Sequence, residues 1–260
     1  MEKKVRVEEL DTIKAAKEGF EKSFKEKTLY NKQTQDSNHL ERIIETLNIK
    51  DNDEILDLGT GSGYLAFRIA RENSSCKVTG LDIVEKALEE DRNKAGELGI
   101  NNISFTSYKG NEFPFESNSF NIVTTRYALH HFPKIKDTFS EVARVLKREG
   151  FFSISDPTPN DDDLERFVDD YMRMKKDGHI KYYTKEEYEA LAREAGLSLV
   201  NSFETEITFP RLKETAIGFD EIIQKHDKKI IDGYNVKVTE DNKYIYITQK
   251  VLNLLFKKGE

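Results

Sequence analysis

The amino-acid sequence predicts an α/β fold built on a doubly wound, parallel sheet. Short apolar runs and amphipathic helical patterns alternate five times between Ile55 and Asp156. This alternation is typical of strands joined by crossover helices, which leave the strands parallel. A glycine-rich turn after the first strand and a carboxylate at the end of the second support the same fold, because doubly wound sheets bind ligands at the carboxyl ends of their strands.

Composition sets limits on the class of protein. The chain has 260 residues, with 41 Lys and Arg against 48 Asp and Glu, for a formal net charge of −7. This length suits one α/β domain with a small appendage, and the acidic balance argues against a general nucleic-acid binder. Cys76 is the single cysteine, so no intrachain disulfide can form. No apolar run approaches the ~18 residues of a membrane-spanning helix, and a charged N-terminus without a signal-peptide core predicts a cytoplasmic protein.

Two helices are predicted ahead of the sheet. Apolar side chains recur at helical spacing from Leu10 to Phe24 and again over residues 37–48. The first strand, Ile55–Leu58, then turns through three glycines at alternate positions in the stretch Gly59–Gly63. Since glycine has no Cβ, such a turn lets a ligand approach the bare backbone, and the helix that follows offers free N–H groups at its N-terminus.

The spacing of these glycines separates two kinds of ligand. A dinucleotide site needs Gly-x-Gly-x-x-Gly, but the sixth position here is Tyr64. The run DLGTGSG, residues 57–63, instead resembles motif I of the class I S-adenosylmethionine (SAM)-dependent methyltransferases, in which the loop wraps the methionine and ribose of SAM. The resemblance implies that five loop residues bind the cofactor: Asp57, Gly59, Thr60, Gly61 and Gly63.

The second strand, Cys76–Ile83, carries a carboxylate at Asp82 near its end. A carboxylate in this place can accept two hydrogen bonds from a ribose diol. Because it also resembles motif II of the same family, Asp82 and its neighbour Ile83 are expected to bind the cofactor. The alternative is that Asp82 caps the helix that starts near Val84. That helix is predicted over residues 84–98.

The loop after the third strand, Ile103–Thr106, resembles the adenine-binding loop of the family. The resemblance rests on the Phe-Pro-Phe sequence at the end of the loop, residues 113–115. It implies that Gly110 and Asn111 bind the cofactor. Lys109 departs from the carboxylate version of this loop, so Asn111 is expected to take over the contact to the adenine amino group.

The fourth strand, Ser119–Thr125, runs into the segment RYALHHFP, residues 126–133. This segment resembles the Leu-His-His segment at the mouth of the site in many small-molecule methyltransferases. The resemblance adds Arg126 to the cofactor-binding residues, and Tyr127 and His130 to the substrate-binding residues.

His130 is also the candidate catalytic residue, because histidine titrates near neutrality and can act as a general base. The alternative is that the pair His130 and His131 fixes the loop without taking part in catalysis. With one cysteine, no Cys/His cluster has zinc spacing, so no metal site is predicted. The other three histidines look isolated and are expected to be surface or structural residues: His39, His179 and His226.

A helix and the fifth strand, Phe151–Asp156, complete the alternation. A helical insertion at about 158–183 follows, with a helix over Asp161–Lys176, and the next helix, Thr184–Ala195, begins with a capping box. Insertions at this point build substrate pockets in the family, so the resemblance makes Tyr171 a substrate-binding residue. The alternative is that the apolar stripe of the inserted helix, which includes Tyr171, belongs to the core. The remainder is predicted as a strand, a helix, a strand and a solvated tail: Leu197–Phe209, Lys213–Ile231, Lys243–Thr248 and Lys257-Lys258.

The resemblance implies a seven-stranded, mostly parallel, Rossmann-like methyltransferase sheet whose last strand is antiparallel, in a domain over residues 37–260. Residues 1–36 are expected to form a helical lid with Tyr30 at the mouth of the site or, equally, a helix packed on the domain surface.

The implied function is transfer of the methyl group of SAM to a small-molecule acceptor by in-line displacement, with S-adenosylhomocysteine as the second product. The resemblance extends to the quinone-methyltransferase-like branch of the family, and no nucleic-acid partner is expected. Two other functions stay open. One is a non-catalytic SAM-binding regulatory protein, and the other is a nicotinamide-dependent oxidoreductase.

Overall fold

The computed structural model describes residues 14, 17, 18, 37–110, 112–175 and 177–259. Its strands are, in chain order, β1 (Glu54–Leu58), β2 (Lys77–Asp82), β3 (Ile103–Ser107), β4 (Phe120–Arg126), β5 (Leu146–Thr158), β6 (Leu197–Leu212), β7 (Lys237–Val238) and β8 (Tyr244–Lys258). Its main α-helices are α1 (Ser37–Leu47), α2 (Tyr64–Glu72), α3 (Glu85–Glu97), α4 (Ile135–Val145), α5 (Phe167–Arg173), α6 (Lys185–Glu194), α7 (Phe219–Lys225) and α8 (Lys228–Gly233).

These strands form one sheet in the order β3-β2-β1-β4-β5-β8-β6, with β7 paired to β8 off this path. The pairs among β1 to β5 are parallel, whereas β8 runs antiparallel to both β5 and β6. The doubly wound, mostly parallel fold with an antiparallel finish is therefore confirmed, and the two-residue β7 is an addition to the seven expected strands. The strand order reverses between β1 and β4, which is the point where such sheets bind ligands.

Helices cover both faces of the parallel part of the sheet. In β1, Ile55 packs in the cluster formed with α1, α2 and α3, while the adjacent Leu56 packs on the opposite face with α4 and α6. Strands buried on both faces lack polar alternation, which explains why this strand reads as a continuous apolar run. None of the described helices is long and apolar enough to cross a membrane.

The end of the chain differs from the prediction. The expected strand Lys243–Thr248 extends to Lys258, and the expected solvated tail is wrong, because Lys257 pairs with Phe151 of β5. The Lys258 ammonium donates a 2.6 Å hydrogen bond to the carbonyl oxygen of Leu146. Residues 251–256 are all buried between β5 and β6, so this stretch has no alternation by which to identify a strand.

The long helix expected over Lys213–Ile231 is also wrong. A 3₁₀ turn, Lys213–Thr215, comes first, and the chain then forms α7 and α8 as two short helices. Gly218 precedes α7 in the left-handed region at φ 86°, and the Asp227 side chain caps α8 by accepting the Lys229 N–H at 2.7 Å. These two residues start new helices, which the apolar spacing alone did not predict.

The helix expected over Asp161–Lys176 is shorter than predicted, because it begins at Phe167 as α5. The Asp163 carboxylate accepts the N–H groups of Phe167 at 2.8 Å and Val168 at 3.1 Å, which satisfies the first donors of the helix. The capping box of α6 is present as predicted, with Thr184 and Glu187 bonded reciprocally.

A second apolar core lies where the β6–β8 pair meets α5, α7 and α8. Seven aromatic residues belong to this core: Tyr127, Phe167, Tyr171, Tyr182, Phe209, Phe219 and Tyr234. Tyr171, predicted to bind substrate, is 1% exposed within this core, and its hydroxyl has no hydrogen-bond partner among the described residues. The apolar stripe of the insertion is thus used mainly as core.

A carboxyl group is buried beneath the glycine turn. Asp91, on α3, is 4% exposed, and its Oδ2 atom has no hydrogen-bond partner in the described ranges. A Cβ added to Gly63 would lie 3.2 Å from this oxygen. Burial raises the pKa of Asp91 to about 7, although Lys94 acts in the opposite direction. The folded protein therefore holds this proton in mildly acidic solution.

Replacing Asp91 by asparagine is expected to stabilise the protein more as the pH rises. The folded wild type keeps the proton up to about pH 7, whereas the unfolded chain releases it near pH ~3.9. Stability from this group is therefore lost as the pH rises between those values. Thermal unfolding of Asp91→Asn and wild type at about pH 5 and about pH 8 should show a gap that widens by on the order of 2 kcal/mol. Glu89→Gln, at an exposed position on the same helix, should show no trend, and a constant gap for Asp91→Asn would contradict the prediction.

Candidate active site

The glycine turn packs directly against the segment that follows β4. Gly59 lies in the left-handed region at φ 71°, and its N–H donates to the Leu81 carbonyl at 2.8 Å. A Cβ added to Gly59 would lie only 2.5 Å from the Cβ of Ala128. Glycine is therefore required here by both conformation and space. This contact brings the glycine turn next to the Leu129–His131 turn, which carries His130.

Gly61, unlike Gly59, has open space at its Cβ position. Its φ is 56°, and a Cβ added there would meet no described atom within 4 Å. The Gly61 N–H donates to Oδ2 of Asp82 at 2.9 Å, and Oδ1 of Asp82 accepts the N–H of Val84 at 3.0 Å. Asp82 thus bonds to the residue before α3, but it does not cap this helix, because Val84 occupies the N-cap position and no side-chain cap bond is present. Each carboxylate oxygen has a second lone pair, so both remain able to accept a ribose hydroxyl.

Asp57 supports the turn from the end of β1. It is 2% exposed, and the Thr60 hydroxyl donates to its Oδ2 atom at 2.7 Å. Burial raises the pKa of Asp57 to about 6, while the bond from Thr60 and the charge of Arg126 favour the ionised form. At neutral pH Asp57 is therefore mostly ionised beneath the turn. Burial raises the pKa of Asp82 as well, whereas the hydrogen bonds that it accepts from backbone N–H groups lower it.

Arg126 and Tyr127 lie between the turn and the second core. The guanidinium carbon of Arg126 is 4.2 Å from the ring centroid of Tyr127 and 5.6 Å from that of Tyr64. The Tyr127 hydroxyl is 3.1 Å from Nδ1 of His39. Arg126 therefore lies between the start of α2 and Tyr127, and Tyr127 is packed at the edge of the second core.

The structure describes some of the remaining predicted site residues and leaves others outside the described ranges. Ile83 is half-buried beside Asp82, and Gly110 lies in the loop after β3, which is tied to β2 by the bond from the Tyr108 N–H to the Asp82 carbonyl. The lid predicted over residues 1–36 lies outside the described residues, apart from residues 14, 17 and 18, which are helical. Two predicted site residues also lie outside them: Tyr30 and Asn111.

A buried histidine–carboxylate pair occupies the carboxyl ends of β4 and β5. Nδ1 of His130 is 2.8 Å from Oδ1 of Asp156, and the two side chains are 3% and 1% exposed. The His130 N–H donates to Oδ2 of Asp156 at 3.2 Å, and the Tyr188 hydroxyl donates to the same oxygen at 2.9 Å. Nε2 of His130 has no hydrogen-bond partner among the described residues. The pair therefore holds the ring in place by one nitrogen and leaves the other available.

Burial disfavours a charge on either member of this pair. It lowers the pKa of His130 well below the usual value and raises that of Asp156 to about 7. When Asp156 is ionised, Nδ1 of His130 carries the proton and donates it to the carboxylate, so Nε2 keeps a lone pair. When Asp156 is protonated it can donate to Nδ1, and Nε2 then carries the ring proton. The accepting form of His130 thus prevails above about pH 7.

The expectation that three histidines are isolated is wrong. His179 lies against His130, with ring centroids 5.4 Å apart, and its Nε2 atom is 2.9 Å from Oδ1 of Asp169. His39 is 3.0 Å from Oδ1 of Asn253, and His226 is 3.0 Å from Oδ2 of Asp170. All three are buried. Their partners are distant in sequence, except for Asp169, so no local pattern indicates the contacts.

The residues at this edge of the sheet fit SAM. The open side of Gly61 leaves room that a side chain would fill, and Asp82 offers a carboxylate at the end of β2. The glycine turn and Asp82 would hold the methionine and ribose, and Arg126 would face the same side. Within the described ranges, no group of three or more His, Cys, Asp or Glu residues is arranged to hold a metal ion.

The profile of the methyltransferase domain family matches residues 49–196. This span covers more than half of the chain and contains the glycine turn, Asp82 and the His130–Asp156 pair. The chain belongs to this methyltransferase family. Its cofactor is SAM, as the sequence predicted, and the alternative of a nicotinamide-dependent oxidoreductase is excluded by the family.

Relatives of this methyltransferase-family protein support the same grouping. It is 32% identical over 150 residues to the uncharacterized methyltransferase YcgJ of Bacillus subtilis, covering 57% of this chain and 58% of that protein. It is 30% identical over 183 residues to the ubiquinone/menaquinone biosynthesis C-methyltransferase UbiE of Rickettsia bellii, covering 67% and 71%. The crystal structure of YcgJ superposes with a TM-score of 0.72 at 24% identity, covering 85% of this chain and 98% of that one, which confirms the fold.

Replacing Gly61 by alanine is expected to weaken binding of S-adenosylhomocysteine by on the order of tenfold or more, because a Cβ would fill the side that the cofactor approaches. Gly99→Ala is a matched control. Gly99 also has a left-handed backbone, at φ 65°, and open space around its Cβ position, but it ends α3. Both variants should lose similar stability, and calorimetry should show weaker binding for Gly61→Ala alone. Equal affinities would place the cofactor elsewhere.

Proposed function

We propose that this protein transfers the methyl group of SAM to a hydroxyl-bearing small molecule, with His130 as the general base. The observation that carries the proposal is the buried hydrogen bond between His130 and Asp156, which leaves Nε2 of His130 without a partner among the described residues. A base fixed through one nitrogen by a carboxylate is the arrangement that activates hydroxyl nucleophiles in other enzymes.

The proposed reaction is an in-line displacement. When bound, SAM supplies an electrophilic methyl group. Nε2 of His130 accepts the proton of the acceptor hydroxyl, and the ionised Asp156 stabilises the imidazolium that results. Tyr188 and the His130 N–H keep the Asp156 carboxylate in place through its Oδ2 atom. Positioning contributes the larger part of the rate enhancement, since alignment of the reacting groups can lower the activation barrier by roughly 7–11 kcal/mol.

The insertion at about 158–183 is proposed as the wall of the acceptor pocket. The Ile180 N–H donates to the His130 carbonyl at 2.9 Å, which ties the insertion to the base. The Thr158 hydroxyl donates to the Tyr183 carbonyl at 3.0 Å, and this bond joins the two ends of the insertion. Tyr182 packs its ring edge-on against His130 at 5.0 Å. These contacts support a pocket that excludes water from the reacting groups.

A small-molecule acceptor agrees with the name of the UbiE relative, which describes a quinone biosynthesis enzyme. The hydroxyl preference is compatible with methylation either at oxygen or at a carbon that the hydroxyl activates. The lid over residues 1–36, the domain boundary at residue 37, the cytoplasmic location and the absence of a nucleic-acid partner stay predictions.

The proposal is tested by measuring S-adenosylhomocysteine formation from SAM with a panel of hydroxylated acceptors, including phenols, hydroquinones and sugars. Time-dependent formation above the level without acceptor would support methyl transfer. Tight binding of S-adenosylhomocysteine without any turnover on the panel would favour the non-catalytic SAM-binding protein instead.

With an acceptor from that panel, His130→Ala is expected to lower kcat roughly 10²–10⁴-fold. The wild-type rate should rise with pH and level off above about pH 7, because Asp156 must lose its proton before Nε2 of His130 can accept one. Asp156→Asn should lower the plateau and remove this rise, since the amide does not titrate.

His226→Ala is the matched control for these variants. It also removes a buried histidine bonded to an aspartate, Asp170, but it lies in the second core against Phe167. Its rate and pH profile should follow the wild type once the folded fraction is accounted for. If His130→Ala loses less than tenfold and keeps the rise with pH, His130 is not the base.

A further inference from the structure

A second histidine beside His130 also contacts a buried carboxylate, but through Nε2 instead of Nδ1. Nε2 of His179 is 2.9 Å from Oδ1 of Asp169. Asp169 also accepts the Tyr182 N–H at 2.8 Å and Nε of Arg166 at 2.7 Å. Although burial opposes ionisation, these bonds hold the pKa of Asp169 below its ordinary value. The carboxylate is therefore ionised and can only accept hydrogen bonds. In the neutral ring whose Nε2 donates to this carboxylate, Nδ1 is the acceptor.

This Nδ1 atom is buried and has no hydrogen-bond partner among the described residues. The His179 side chain is 0% exposed. A buried acceptor without a donor carries a desolvation penalty. A donor that enters the pocket with a ligand would remove it.

The position of His179 relates this acceptor to the proposed reaction. The rings of His130 and His179 have centroids 5.4 Å apart, and Tyr182 packs edge-on against both, at 5.0 Å and 4.7 Å. Each of these two adjacent rings therefore has one nitrogen without a hydrogen-bond partner among the described residues, Nε2 on His130 and Nδ1 on His179. Two hydroxyl groups on neighbouring carbons are the closest pair of donors that one small molecule could offer to two such rings.

We propose that His179 is a specificity-determining residue that accepts a hydrogen bond from a second hydroxyl of the acceptor, so that the protein selects molecules with two neighbouring hydroxyl groups. The assignment of His130 to the hydroxyl that loses its proton rests on the proposed function. The selection itself does not, because it depends on binding alone. A pocket built around an acceptor discriminates against a molecule that lacks the donor, since the acceptor is then left buried and unpaired.

Catechol and phenol are suitable probes, because they differ by one neighbouring hydroxyl. Their binding to the protein saturated with S-adenosylhomocysteine is measured by calorimetry or by ligand-observed NMR, without any need for turnover. Wild type is expected to bind catechol roughly ten- to a hundredfold more tightly than phenol. Resorcinol, whose hydroxyls are not on neighbouring carbons, should bind like phenol.

Two substitutions separate the two nitrogens of His179. His179→Gln places a donor near the Nε2 position and keeps the contact to Asp169, but it removes the Nδ1 acceptor. It should bind catechol no better than phenol. His179→Asn places an amide oxygen near the Nδ1 position and should retain part of the preference for catechol. Unchanged affinity for S-adenosylhomocysteine shows that each variant is folded.

Equal binding of catechol and phenol by wild type, or no binding of either, would overturn the proposal. So would a catechol preference that survives in His179→Gln, since His179 would then be a core residue whose Nδ1 atom is satisfied by water. His130→Ala separates the two proposals. If it keeps the catechol preference and also keeps turnover, the proposed base is wrong while the role of His179 stands.

Discussion

The parallel pairing of β4 with β5 is the constraint on which the proposed chemistry depends. Arg126 lies opposite Ser155 at the end of this pairing, and the Tyr127 N–H still bonds to the Ser155 carbonyl at 2.8 Å. The segments that follow these two residues therefore lie next to each other, and they carry His130 and Asp156, respectively. A shift of the register would separate them, because side-chain direction alternates along a strand.

Burial determines how the groups at this edge behave. Asp57, Asp156 and Asp91 all have raised pKa values because they are removed from water, and His130 has a lowered one for the same reason. At Asp169 the hydrogen bonds that the carboxylate accepts outweigh the effect of burial, so its pKa is lowered. The two histidine–carboxylate pairs therefore differ. The pKa of Asp169 is lowered, whereas that of Asp156 is raised to about 7, so the Asp156 pair loses a proton near neutrality.

The antiparallel β6–β8 pair gives the protein a second core outside the cofactor-binding half. This core anchors α5, and the segment after α5 then returns along His130 through Ile180 and Tyr182. The proposed acceptor side of the site is thus supported by packing that is separate from the glycine turn. In such an arrangement the proposed acceptor pocket can change without changing the glycine turn.

The sequence by itself determined the doubly wound sheet, the glycine turn at Gly59–Gly63, the carboxylate at Asp82 and the candidate His130, because periodicity and short motifs are local properties of the chain. It did not determine the two short helices after β6 or the length of β8, where caps and burial on both faces obscure the pattern. The pairing of His130 with Asp156 and the place of His179 beside them were decided only by the tertiary structure. These contacts join side chains 26 residues or more apart, and the partners meet only after the strands have aligned.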